Sequence, residues 1–232
     1  MSLLLSLETS THSFSCALHQ DNKLISYREN TTIQATASLL AVAVEELFKE
    51  TGLQKSQLNA VVVASGPGSY TGLRIGVATA KGICYALNIP LISVNTLSLM
   101  AHQFVNQFSG TLDLNDALLC PMLDARRMEV YCILLSEKLN IVEPTHAKVI
   151  DEQSFVDRLD KQIIYFFGEG SDKCQTIIRH TNAKFITGLW PQASQLGSLG
   201  FQKLLNTDFE DLAGFEPFYL KDFVIKKPNL VS

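Results

Sequence analysis

The chain carries no surplus of basic charge: 19 Lys and Arg stand against 23 Asp and Glu, a net charge of −4. Bulk electrostatics therefore do not draw it to nucleic acid, and a role near RNA needs a partner to supply the basic surface. No uninterrupted apolar stretch approaches the ~18 residues of a membrane helix. The opening Met1-Ser2-Leu3-Leu4-Leu5-Ser6-Leu7-Glu8 lacks a basic region and reads as a first strand, not a signal peptide. The five cysteines (Cys16, Cys84, Cys120, Cys132, Cys174) are scattered, odd in number and never spaced Cys-x-x-Cys. That argues against a disulfide framework or zinc site and for reduced core thiols of a cytoplasmic protein. No two of His12, His19, His102, His146 and His180 are four residues apart, so no helix presents a two-histidine metal site. No serine stands in a Gly-x-Ser-x-Gly elbow.

What is present is a globular composition, 232 residues and 47% hydrophobic, enough for one large domain or two small ones. Its most distinctive stretch is Ser65-Gly66-Pro67-Gly68-Ser69-Tyr70-Thr71-Gly72-Leu73-Arg74-Ile75-Gly76. It follows the apolar run Ala60–Ala64 and leads into a small-residue segment reaching Leu87, so it reads as a strand-to-helix turn. Such turns can present N–H groups to an anion. No Lys-Ser/Thr follows the last glycine, and Thr71 stands where a dinucleotide fingerprint has glycine or alanine. A tight helix-starting turn is therefore the better local reading, with Ser65, Ser69 and Thr71 satisfying its first N–H groups.

The order of elements carries more. Strands read at 3–7, 14–19 and 23–29, with Asp21-Asn22 as the turn between the last two, then a helix from Thr36 to Glu50 stopped by Gly52. The strand Ala60–Ala64, the glycine turn and the second helix follow, then a strand at 89–94 and a helix capped by Asn95 or Thr96 and ending near Phe108. The pattern repeats with strands at 118–123, 129–135 and about 146–150, and a helix at 151–159 capped by Asp151. It continues with a strand at 163–167, the turn Gly168-Glu169-Gly170, a helix at 171–179, a short strand at 184–186 and a helix from Pro191 to about Leu205. Two βββαβαβα halves, residues 1–108 and 109–215, predict an α/β protein with the actin-like ATPase (ASKHA, ribonuclease H-like) fold. The tail 216–232, aromatic and then basic, is expected to dock back on the first half.

Two features point to function. The first helix is apolar at Leu39, Leu40, Ala43, Val44, Leu47 and Phe48, with Ala41 and Val42 extending this round its first half. The second carries two rows of small residues, Gly72–Gly76–Ala80 and Ala78–Gly82–Ala86, which suggest close neighbours on two sides. Arg74, one turn into that helix, opposes the helix dipole and calls for an acidic partner. Separately, each half ends its first strand on a carboxylate, Glu8 and Asp124. In a cleft these two would hold magnesium or orient a water for an ATP-dependent kinase or ATPase, near Gly66 and Gly68. Otherwise they cap strand ends and pair with Arg126 or Arg127.

The 65–76 loop resembles the signature of the TsaB (YeaZ) family. So do Leu7-Glu8-Thr9-Ser10, Asp124-Ala125-Arg126-Arg127 with Glu129-Val130-Tyr131, and Glu216-Pro217-Phe218-Tyr219-Leu220. The resemblance implies a protein of threonylcarbamoyladenosine formation beside the tRNA anticodon. It implies a non-catalytic, obligatory partner of the transferase TsaD, joined by the ATPase TsaE. ATP/ADP and metal then act through TsaD and TsaE, tRNA is met only through the complex, and no membrane is involved. TsaD binds its metal through a histidine pair that TsaB and this chain both lack. Many members have Asp at Glu8 and a histidine near Ile33-Gln34-Ala35-Thr36. The expected partner face is Leu39, Leu40, Ala43, Val44 and Leu47 with Gly72, Arg74, Gly76 and Ala80, forming a homodimer when TsaD is absent. On that reading Ala43→Glu or Gly76→Leu abolishes TsaD binding without unfolding the chain.

Overall fold

In the computed structural model of this protein, residues 1–32 and 36–220 are described. Strands β1 (Leu3–Glu8), β2 (Phe14–Gln20) and β3 (Lys23–Asn30) form an antiparallel meander, closed at Asp21-Asn22 by two residues of positive φ. Helix α1 (Thr36–Thr51) leads to β4 (Leu58–Gly66), α2 (Tyr70–Leu87), β5 (Leu91–Asn95) and α3 (Thr96–Phe108). The second half repeats the order with β6 (Leu118–Asp124), β7 (Glu129–Ser136), β8 (Ile141–Val149), α4 (Val156–Leu159), β9 (Ile164–Phe167), α5 (Glu169–Asp172), β10 (Ala183–Ile186) and α6 (Leu196–Leu205). The sheets run β3-β2-β1-β4-β5 and β8-β7-β6-β9-β10. Their topologies are the same, so the duplication read from element order is a duplication of architecture, and the α/β fold class holds.

Each sheet is covered on both faces, which is why its central strands are nearly continuous apolar runs. Period-two alternation sorts them. Leu3, Leu5 and Leu7 with Val61 and Val63 face a core made with α1 and α2. Leu4, Val62 and Ala64 face the opposite way, onto Leu99 of α3 and Leu196 of α6. In the second sheet Leu118, Cys120 and Met122 lie on one face. Leu119 and Leu123 pack on Leu97, Met100 and Phe104 of α3 on the other. A cut at 108/109 therefore separates the strands but not the helices: α3 packs on the second sheet, and α6 packs on the first. Between them His102 Nε2 lies 2.7 Å from Ser198 Oγ. His19 is buried; its Nε2 donates to the Ser194 carbonyl (3.0 Å) and its Nδ1 accepts from Ser6 (3.1 Å), tying the first sheet to the returning chain.

The second-half helices are shorter than periodicity suggested. Asp151 does form a cap, but over a turn: its Oδ1 accepts from Gln153 N and Ser154 Oγ, and Phe155 in the left-handed region delays α4 to Val156. Past Asp172 the chain turns instead of continuing as helix, and a 3-10 turn at Ala193–Gln195 precedes α6. The third strand begins earlier, at Ile141, because Leu139 at positive φ closes a tight hairpin. The C-terminal segment lies along the first half. Lys81 Nζ donates to the carbonyls of Ala213 (2.9 Å) and Phe215 (3.0 Å), and Phe218 N donates to Ser65 O (2.7 Å). Residues 221–232, with Lys221, Lys226 and Lys227, lie outside the described residues.

The α2 glycines have an internal reason. A Cβ on Gly72 would overlap Thr9 O, and one on Gly76 would overlap Thr9 Oγ1. Gly68, at φ +155°, is pressed against Ser10 in the same way. Helix α2 thus seats directly on the β1–β2 loop. Gly72→Val is expected to destabilise the protein by about 2–3 kcal/mol, a fall in melting temperature of roughly 5–10 °C. Gly82, with nothing within 4 Å of its Cβ position, is the control: Gly82→Ala should leave stability unchanged or raise it by about 0.5–1 kcal/mol. Thermal melts of the two variants check both.

Candidate functional site

The glycine turn and the end of β1 meet, and the chain packs against itself there. Ser10 N donates to Glu8 Oε1 (2.6 Å), Ser69 N to Ser10 O (2.6 Å) and Gly72 N to Ser69 Oγ (3.2 Å). The open side of Gly66 faces Phe218 O at 2.9 Å and that of Gly68 faces Ser10. The N–H groups of Ser10, Ser69 and Gly72 are thus committed within the chain. Ser69 is the α2 N-cap, as its position suggested. Ser65 is not a cap; its hydroxyl donates to Val94 O of β5 at 3.2 Å.

Glu8 and Asp124 occupy equivalent places but unlike surroundings. Glu8 is buried; Ser10 N and Oγ both donate to Oε1, and Oε2 has no partner among the described residues. Burial outweighs those hydrogen bonds and raises its pKa to about 7. It is a buried acid, with a pKa near neutral, that anchors the loop. Asp124 is exposed and pairs with Lys173, not with the guanidinium of Arg126 or Arg127; Arg126 gives only its backbone N–H, at 3.0 Å. Lys173 Nζ also donates to the carbonyls of Arg127 (2.6 Å) and Glu129 (2.7 Å), closing the β6–β7 hairpin. Among the described residues no group of three His, Cys, Asp or Glu is placed to hold a metal ion.

The structure gathers a polar group that sequence reasoning missed. His12, after β1, lies 3.7 Å from Glu169 at the start of α5 and edge-on to Trp190, centroids 5.1 Å apart. Burial raises the Glu169 pKa, opposed first by His12. The glycines flanking Glu169 were the available signal, but nothing local links residue 12 to residue 169.

The expected partner face needs correcting. Leu40, Ala43, Val44 and Leu47 are core residues under α1, packed on the first sheet. Gly72, Gly76 and Ala80 are buried too. None of these seven is open to another molecule, and Ala43→Glu or Gly76→Leu would disrupt folding before binding. The outward face consists of Leu39 (36% exposed) and Val42 (51%) on α1, and Ala78, Gly82, Tyr85 and Ala86 on α2. Its small row is the second one, not the first. Arg74 is exposed, with Cζ 5.3 Å from the centroid of the Tyr70 ring, which packs on Tyr219 (4.9 Å).

The family model described as TsaD, tRNA N6-adenosine threonylcarbamoyltransferase, matches residues 30–226. Bacillus subtilis tRNA threonylcarbamoyladenosine biosynthesis protein TsaB is 29% identical over 227 residues, 94% of this chain and 93% of that protein. The Escherichia coli protein of the same description is 31% identical over 128 residues, 55% of this chain and 52% of its own. The solved structure of YeaZ from Pseudomonas aeruginosa superposes with TM-score 0.79 at 24% identity, covering 95% of this chain and all of that one. The chain belongs to the TsaD family, in its TsaB (YeaZ) branch. An Arthrobacter polyphosphate/ATP-glucomannokinase shares the fold alone, with TM-score 0.51 at 11% identity over 89% of this chain and all of that one. For this TsaB-family chain the fold is therefore the actin-like one, while its glycine turn is closed by its own backbone. Of the family's histidine-bearing segment, 33–35 lies outside the described residues.

The Glu8 setting has a measurable consequence. With a folded pKa near 7 and an ordinary value of 4.5, the native state holds a proton that the unfolded chain releases between those pH values. Stability falls as pH rises through this window and stays lower above it. Glu8→Gln mimics the protonated acid, so its melting temperature should match wild type near pH 4.5 and exceed it at pH 8, by an energy of about 3 kcal/mol. Parallel melting curves for the two proteins across that range would remove the buried-acid assignment.

Proposed function

We propose that this chain acts in the formation of threonylcarbamoyladenosine in tRNA as a non-catalytic partner of the TsaD transferase, with TsaE joining the pair. The reading rests on similarity along nearly the whole chain to the Bacillus subtilis biosynthesis protein TsaB. The closed glycine turn and the buried Glu8 support a supporting role over a catalytic one. ATP/ADP and metal chemistry is assigned to TsaD and TsaE, contact with tRNA to the complex, and the site of action to the cytoplasm. Among the described residues no helix is long and apolar enough to cross a membrane.

The docking face in this proposal is the outward side of α1 and α2: Leu39 and Val42 with the row Ala78–Gly82–Ala86. Small side chains let another helix approach closely, and the apolar positions supply the desolvation that stabilises the contact. Arg74 stands at its edge. The same face serves a homodimer when TsaD is absent. Val42→Glu and Gly82→Arg change only outward positions, so melting temperature should hold while co-purification with TsaD is lost. In sedimentation the variants should also be monomeric. Retained binding in both variants places the interface elsewhere. Calorimetric titration with Mg-ATP tests the rival kinase or ATPase reading: tight binding with turnover by the isolated chain would favour that reading over the supporting one.

A further inference from the structure

Tertiary structure makes a Cys–His pair that sequence spacing did not announce. In the β7–β8 ladder Cys132 stands directly opposite His146, so the two side chains share a face. Cys132 Sγ lies 3.7 Å from His146 Nε2. The other ring nitrogen, Nδ1, is 2.8 Å from the Pro144 carbonyl oxygen. A carbonyl only accepts, so Nδ1 carries the hydrogen and Nε2 turns its lone pair to the thiol. On the neighbouring strand, Cys120 packs in one cluster with Cys132 and Cys174.

Thiol and oriented base form a nucleophile–base pair. The other cysteines have no such arrangement. Burial pushes Cys16 up to about 12 and Cys84 and Cys174 up to about 11, and holds Cys120 well above the usual thiol range. Cys84 and Cys174 donate to backbone carbonyls of Pro90 and Gly170. Cys132 is 1% exposed, but its base is half-buried on the edge strand β8. Ile141, Val142 and Val149 of that strand face solvent, and its pairing shifts register between Cys132 and Leu134 and again beside Leu135. An irregular edge strand opens at low cost and carries a small oxidant to the sulfur.

We propose that Cys132 is the peroxide-reactive thiol of this protein, with His146 accepting its proton. The Cys132 thiolate attacks one oxygen of hydrogen peroxide. An S–O bond forms, the O–O bond breaks, and the departing hydroxide takes the proton from the His146 imidazolium and leaves as water. Sulfur is oxidised by two electrons to sulfenic acid, and peroxide is the oxidant reduced. This site is independent of the α1–α2 face and does not rest on the TsaD reading.

The test exposes the full-length folded chain to limiting hydrogen peroxide with dimedone and quantifies the adduct at each cysteine by peptide mass spectrometry. Cys132 should be labelled about tenfold or more above Cys16 and Cys84, and His146→Gln should remove that lead. Cys132→Ser should abolish the main adduct without transferring it to Cys16. Equal labelling of the five cysteines in the wild-type protein, or none at Cys132, overturns the proposal whatever the variants do. An undiminished Cys132 adduct in a folded His146→Gln protein overturns the role of the histidine.

Discussion

The seating of α2 on the β1–β2 loop is the contact on which the rest of the first half depends. Gly68, Gly72 and Gly76 remove the side chains that would hold helix and loop apart, and Thr9 and Ser10 fill the space. Glu8 fixes the loop from below by accepting from Ser10. With the helix this close, Ser69 N donates to Ser10 O and Gly72 N to Ser69 Oγ. The second half has a counterpart, where Gly168 abuts Met122 and Gly170 abuts Leu123. Both glycine turns therefore lock the end of their half's first strand.

This close fit bears on whether the glycine turn has room for a phosphate. A phosphate cradle requires unoccupied N–H groups and room above the glycines. Here the Ser69 and Gly72 N–H groups are bonded within the chain, with Ser10 beside Gly68 and Phe218 beside Gly66. The same contact sets which side of α2 faces outward. Once Gly72, Gly76 and Ala80 turn to the core, helical geometry leaves Ala78, Gly82 and Ala86 on the surface, and α1 exposes Val42 in the same manner.

Much of the fold was legible. The twin βββαβαβα order, the Asp21-Asn22 hairpin, the Ser69 and Asn95 caps and the Gly52 stop all depend on short-range chemistry. The second-half helices were less so, because Asp151, Ser154 and Phe155 direct the backbone into turns that periodicity does not register. The candidate site was least legible. Two rows of small residues on one helix look alike in sequence, yet one packs on Thr9 while the other is exposed among the described residues. Apolar spacing on α1 identified its buried face and said nothing of what covers it.

The chain by itself determined the duplicated architecture, the absence of a local metal motif and the special character of the 65–76 turn, since each follows from residue type and spacing. Only tertiary structure decided which face of α2 is buried, that Glu8 is a buried acid while Asp124 is a surface ion pair, and that α3 and α6 cross between the sheets. It also brought Cys132 to His146 and His12 to Glu169. Burial, desolvation and contact across strands arise from residues distant in the chain, so no local pattern encodes them.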